Sequence, residues 1–193
     1  MAETIEWTPK ARAALQAAGE LFYERGIHAV GVDAVAERAG VTKKTLYDRF
    51  GSKERLVVEY LVDRDRRWND YLDARLTVAD PSAEGQLAEL FAAARDWAEA
   101  RGSKGCAMVN AHAEISDPAH PAYRVIVGQK ARMRSLLRGL AELAGCADPE
   151  LVGDQLMLLH EGAVVTAGMG ALEDPFGRAL TVGLALLTRP PQE

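Results

Sequence analysis

The chain has 193 residues, 48% hydrophobic and 26% charged, with a formal net charge of −5 and two cysteines; that length accommodates one or two small domains with a real core. The first residues carry no apolar run of a secretory leader, and no stretch of about 20 uncharged apolar residues is present, so neither a secreted nor a membrane-spanning chain is expected. The most apolar stretch, residues 151–172, is broken by Asp154, Gln155, His160 and Glu161, so it belongs in an interior or an interface, and Cys106 and Cys146 are expected as reduced packing residues of a cytoplasmic protein.

Proline placement sets the architecture. Pro9, Pro81, Pro118, Pro121, Pro149 and Pro175 lie in polar junctions, and Thr8-Pro9, Asp148-Pro149 and Asp174-Pro175 each pair an N-cap with a first helical residue. Between the junctions the spacing predicts helices over 10–25, 32–39, 42–50, 53–76, 83–101, 106–115, 121–144, 149–172 and 175–188, the last ended by Pro190 and Pro191. No segment alternates as a strand and there is no repeat, so the fold class is all-α. The long helix at 53–76, followed by the polar loop 77–85, is the natural place for a domain boundary. It would act as a mechanical link between a small N-terminal domain, residues 1–55, and a larger C-terminal domain, residues 56–193.

Residues 26–56 carry the most chemistry. Val32, Val35, Ala36 and Ala39 form one apolar stripe on a short helix. Gly40 then permits a left-handed turn, Val41 packs inward and Thr42 caps a second short helix. On that helix Leu46 and Phe50 lie on one side, Lys44 and Asp48 on the other, and Thr45 and Tyr47 flank the outward face. Gly51 closes it and Ser52 caps the next helix, with Lys53 beside unpaired backbone amides, a position suited to a phosphate oxygen. Arg38, Lys43, Lys44, Arg49, Lys53 and Arg55 face only Asp48 and Glu54 in the segment 38–55, for a net charge of +4, whereas residues 1–70 as a whole are neutral. A tight turn, a short amphipathic helix and a local positive patch in this order are the parts of a helix-turn-helix that docks on duplex DNA.

Leu15, Ala18, Leu21, Phe22, Gly26, Val35-Ala36, Ala39-Gly40-Val41-Thr42, Thr45-Leu46-Tyr47, Phe50 and Ser52-Lys53-Glu54-Arg55-Leu56 together resemble the TetR family of bacterial transcriptional regulators over residues 10–60. The resemblance implies a three-helix DNA-binding module ahead of a larger helical ligand-binding and dimerisation domain. It also implies Thr42, Lys43, Lys44, Thr45 and Tyr47 in or beside the major groove, with Tyr47 and Lys53 on phosphates. Two positions depart from the family pattern: Gly31 stands where many members have a Thr or Ser cap, and Lys44 where many have a small residue. Asp48 either accepts from a cytosine amino group or pairs with Lys44 one turn back.

The resemblance further implies a repressor that binds a palindromic operator as a homodimer through its last two helices, about 149–188, and is released by a small, mainly apolar effector. Leu151, Leu158, Leu159, Val164, Val165, Leu180, Leu184, Leu186 and Leu187 offer apolar area there, and Gly162, Gly168 and Gly183 permit close approach. Candidate effector contacts are Phe91, Trp97, Asn110, Glu114, Tyr123, Met157 and His160, polar or aromatic groups on otherwise apolar helices.

Rival chemistries are poorly served. Cys106, His112, Glu114, Asp117 and His120 lack metal-ligand spacing, since His112 and Glu114 point to opposite sides of a helix. Cys106 with His112 comes without a nucleophile elbow or a Gly-rich oxyanion loop. No metal, no cofactor and no catalytic residue is expected. A helical protein that only sequesters a small molecule accounts for a pocket but not for the Lys-Lys-Thr-Leu-Tyr helix.

Overall fold

The computed structural model describes residues 5–102 and 104–188. Nine helices and no strand occur among the described residues: α1 Pro9–Arg25, α2 Val32–Ala39, α3 Lys43–Phe50, α4 Lys53–Val78, α5 Ala83–Arg101, α6 Ala107–Glu114, α7 Pro121–Leu143, α8 Pro149–Met169 and α9 Pro175–Leu187. The three Thr/Asp-Pro junctions work as caps: Thr8 accepts from the Ala11 amide, Asp148 from Leu151 and Asp174 from Gly177, at 3.0 to 3.2 Å. Predicted and observed helix ends agree within two residues except at the end of α8, expected at 172 and found at Met169. Gly170 there turns left-handed, φ 64, and its amide and that of Ala171 return to the carbonyls of Ala167 and Thr166, which closes the helix before the apolar run ends. The predicted stop at Pro190 and Pro191 lies outside the described residues.

The chain forms two compact units, Met1–Arg66 with Ala107–Val127, and Arg67–Cys106 with Gly128–Glu193. In the first, α1, α2, α3 and the start of α4 bury Leu21, Phe22, Val35, Leu46, Phe50 and Leu61. The Phe22 ring meets Tyr60 edge-on at 5.8 Å, and Trp7 meets Phe50 at 6.3 Å.

In the second unit Leu87, Leu90, Phe91, Leu137, Leu156 and Phe176 are central to the core. Trp97 stands between Trp68 and Tyr71, 5.3 Å from each. Arg75 is held by Glu89, Asp96 and the Tyr71 hydroxyl.

Helices α7 and α8 run antiparallel within this unit, and ion pairs fix their register: Lys130 to Glu161, Arg134 to Asp154 and Glu150, and Arg138 to Glu150. Gly153 sits where the two helices touch. A methyl group at that position meets the Arg138 Cα at 2.8 Å. Gly153→Ala is therefore expected to destabilise the protein by about 1–3 kcal/mol through overpacking. Gly139→Ala, on α7 where an added methyl meets nothing within 4 Å, should stabilise it by roughly 0.5–1 kcal/mol. Urea denaturation of the two variants checks the opposite signs.

Candidate nucleic-acid interface

The α2–α3 turn is built as its residues require. Gly40 adopts φ 63, ψ 33, and its amide returns to the carbonyls of Ala36 and Glu37. Thr42 caps α3, its hydroxyl accepting from the Thr45 amide at 3.1 Å. Gly31 caps α2 without a side-chain bond. Leu46 and Phe50 are buried, which turns Lys43, Lys44, Tyr47 and Asp48 outward with Thr45 half-buried beside them. Tyr47 is 44% exposed, enough to offer its hydroxyl to a partner. Ser52 caps α4 through the Arg55 amide at 3.1 Å, and Lys53 opens that helix.

Apart from Lys44 with Asp48, the ion pairing of the basic patch is not visible from its own stretch of sequence. Lys44 donates to Asp48 at 2.6 Å, so the pairing one turn back is the arrangement found. Arg38 reaches Glu20 at 2.9 Å, Lys43 reaches Asp33 at 3.0 Å, Arg55 reaches Glu59 at 2.7 Å, and Arg49 pairs with Glu6. Among the described residues only Lys53, of the six cations, has no ion-pair partner. Four of the five anions lie outside the segment 38–55 and cancel much of its charge. The Asp33 carboxylate, by accepting a hydrogen bond, raises the Lys43 ammonium above its ordinary value, while Gln16 and then Arg38 lower that of Glu20. Most of these side chains are substantially exposed, so each pair is worth little and is readily traded for a phosphate.

The seven candidate effector contacts divide between the two units. Phe91, Trp97, Met157 and His160 belong to the second: Phe91 is buried with its ring 6.2 Å from that of His160, Trp97 lies in the aromatic cluster, and Met157 packs half-buried on the core. Asn110, Glu114 and Tyr123 belong to the first. Asn110 is exposed, and Tyr123 lies half-buried with its ring 5.9 Å from His112. Glu114 accepts from the backbone amides of Ile27 and His28 at 2.8 and 2.6 Å, so its carboxylate already serves the α1–α2 connection.

Sequence reasoning missed a network in the second unit. Lys130 donates to Glu161 at 2.7 Å and to the Cys106 sulfur at 3.2 Å, and the other Glu161 oxygen lies 3.3 Å from His160 Nδ1. Burial works against the charge of Glu161, yet His160 and Lys130 hold its carboxyl down at about 2. Burial likewise depresses Lys130, but Cys106 and Glu161 overcome it and raise the ammonium. Gln129, which takes a core position on α7 beside this network, was detectable as the polar residue in the spacing Ala122, Ile126, Gln129, Met133, Leu137, Leu140.

Asp33→Asn, which frees Lys43, is expected to strengthen non-specific binding to duplex DNA about two- to fivefold at low salt. Fluorescence anisotropy at two salt concentrations checks this, and unaltered affinity would remove Lys43 from the interface.

A family model described as "Bacterial regulatory proteins, tetR family" matches residues 14–60. Among curated proteins, the chain is 51% identical over 47 residues to the HTH-type transcriptional activator FasR of Mycolicibacterium smegmatis. It is 32% identical over 102 residues to the HTH-type transcriptional repressor ComR of Escherichia coli. These matches cover 24% and 51% of this chain, and 22% and 47% of those two relatives, so the chain matches less than half the length of either. Two solved structures are similar over nearly their whole length. A TetR-family transcriptional regulator from Streptomyces coelicolor is 31% identical with a TM-score of 0.84, covering 92% of this chain and 94% of that one. A TetR transcriptional regulator from Streptomyces avermitilis is also 31% identical, with a TM-score of 0.77 and coverage of 92% and 97%.

Proposed function

For a chain that belongs to the TetR family and is a transcriptional regulator with a DNA-binding domain, we propose a repressor that binds a palindromic operator as a homodimer and leaves it when a small, mainly apolar effector binds. The observation that carries this reading is the outward flank of α3, held off the core by buried Leu46 and Phe50. Residues 1–55 act as the DNA-binding domain, with Lys44 and Thr45 reading bases and Thr42, Lys43, Tyr47 and Lys53 taking phosphate or groove-edge contacts. Residues 56–193 bind effector and dimerise, and the protein works in the cytoplasm where its operator lies. No described helix is long and apolar enough to cross a membrane. FasR is named an activator and ComR a repressor, and the repressor assignment follows from the effector-release reading.

The dimer seam is supported by α8. Leu151, Leu158 and Val165 recur every seven residues along it and are 54%, 73% and 36% exposed, with Met169 at 74%. A seven-residue step turns the helix by nearly two full turns, so these side chains form one apolar stripe. Exposed apolar area of this kind marks a contact surface, and the stripe passes Gly162, where an added methyl meets nothing within 4 Å of the same chain. A second copy packing the same two helices gives an isologous bundle and places two reading heads on two half-sites. Effector release needs only that the effector bind the DNA-free form more tightly than the DNA-bound form.

Mobility-shift titrations of inverted-repeat fragments against random competitor test the reading, and no preference for any repeat would end it. Tyr47→Phe and Lys53→Ala should weaken binding to every sequence and flatten its salt dependence, whereas changes at Lys44 or Thr45 should shift base preference. Leu158→Glu is expected to give a monomer by light scattering and to lose at least tenfold in affinity for the full repeat, with the fold intact by circular dichroism.

A further inference from the structure

Gln129 and His160 are the two buried polar side chains among the described residues, 8% and 6% exposed. Each leaves one polar atom, Gln129 Oε1 and His160 Nε2, without a hydrogen-bond partner among those residues. The two belong together. The ion pairs Lys130–Glu161, Arg134–Asp154 and Arg138–Glu150 set the antiparallel register of α7 and α8, and in that register position 129 is level with position 160. Phe91 of α5 closes the same level with its ring against His160. A buried polar atom without a partner is rare in a folded protein because it has surrendered water for nothing. Two of them at one level, beside an aromatic wall, are a site prepared for a group that comes from outside the chain.

The hydrogen-bonding sense of the site is fixed by its neighbours. Glu161, with Lys130 on one oxygen and His160 Nδ1 beside the other, is an ionised carboxylate and only accepts, so Nδ1 carries the proton that faces it. In the uncharged form of the ring, with the proton on Nδ1, Nε2 presents a bare lone pair. An amide oxygen also only accepts. Toward that form of the ring both free atoms call for donors.

We propose that the effector is a neutral, largely apolar molecule bearing hydrogen-bond donors, such as phenolic or alcoholic hydroxyls or an amide N–H, which it delivers to His160 Nε2 and Gln129 Oε1. This rests on the effector-released reading above and names the chemical class that the second unit accepts. A carboxylate effector brings acceptors to acceptors and is rejected, and an ether or hydrocarbon of the same shape leaves both atoms buried and unpaired.

The test uses the full chain and two probes of matched shape, 2,7-dihydroxynaphthalene and 2,7-dimethoxynaphthalene, in isothermal titration calorimetry at about pH 8. The diol should bind at least about tenfold more tightly than the diether. His160→Phe and Gln129→Leu should each shrink that ratio by lowering diol affinity. The wild-type ratio stands even where a variant fails to fold. A wild-type ratio near one, failure of either probe to bind up to its solubility, or a ratio undiminished in both variants overturns the proposal. Anisotropy of a labelled inverted-repeat fragment, run alongside, separates the two readings. Diol-selective binding without DNA release sustains the donor site and defeats the effector reading, while equal release by both probes sustains the effector reading and defeats the donor site.

Discussion

The burial of Leu46 and Phe50 is the contact on which the placement of α3, and with it the proposed DNA reading, depends. Helix α3 has eight residues, fewer than the roughly 12–15 an isolated helix needs to persist in water. Removing two large apolar side chains from solvent contributes on the order of 3–6 kcal/mol, enough to offset the cost of nucleating so short a helix. The local devices act in the same direction: left-handed Gly40 fixes the entry, the Thr42 cap satisfies the Thr45 amide, and Trp7 lays its edge on Phe50 from ahead of α1. Presentation of Lys44, Thr45 and Tyr47 is thus a consequence of packing on the opposite side of the helix.

The same packing explains why the patch is poised for DNA without being a naked cation cluster. Folding brings Glu6, Glu20, Asp33 and Glu59 to Arg49, Arg38, Lys43 and Arg55. Exposed pairs of this kind contribute little to stability, so they offset the local positive charge without locking it in place. Lys53, unpaired among the described residues and standing at the first turn of α4, is different. In the proposed complex its approach to a phosphate breaks no ion pair and is opposed only by the field of neighbouring Glu54.

What the sequence made legible was local. Caps at Thr8, Thr42, Asp148 and Asp174, the Gly40 turn and the apolar spacing of each helix are decided within a few residues, and these elements appear where expected. The overrun of α8 has the same origin, because Gly170 was one glycine among several in an apolar run and only its left-handed backbone marks the stop. Contacts between distant residues were not legible. The Lys130–Glu161 pair spans 31 positions and the Arg38–Glu20 pair 18, and the +4 counted over 38–55 ignored carboxylates that arrive from elsewhere. His160 is legible as a polar group on an apolar helix, but the level it shares with Gln129 on α7 follows only from the register of the ion pairs.

Glu114 shows why a boundary drawn along the sequence and a boundary drawn by packing differ. Residues 107–127 belong to the same compact unit as the helix-turn-helix, although residues 51–106 separate them from α3 in sequence. The chain needs them there because α1 ends at Gly26, φ 92, and the next two amides, Ile27 and His28, fall outside both α1 and α2. The Glu114 carboxylate at the end of α6 accepts both, 87 and 86 positions away. Hydrogen bonds to an ionised acceptor are worth about 1.5–3 kcal/mol each, so α6 cannot shift along its axis without releasing the segment that leads into α2. Within this unit α6 is thereby tied to the segment that leads into α2, and α2 carries the turn that leads into α3.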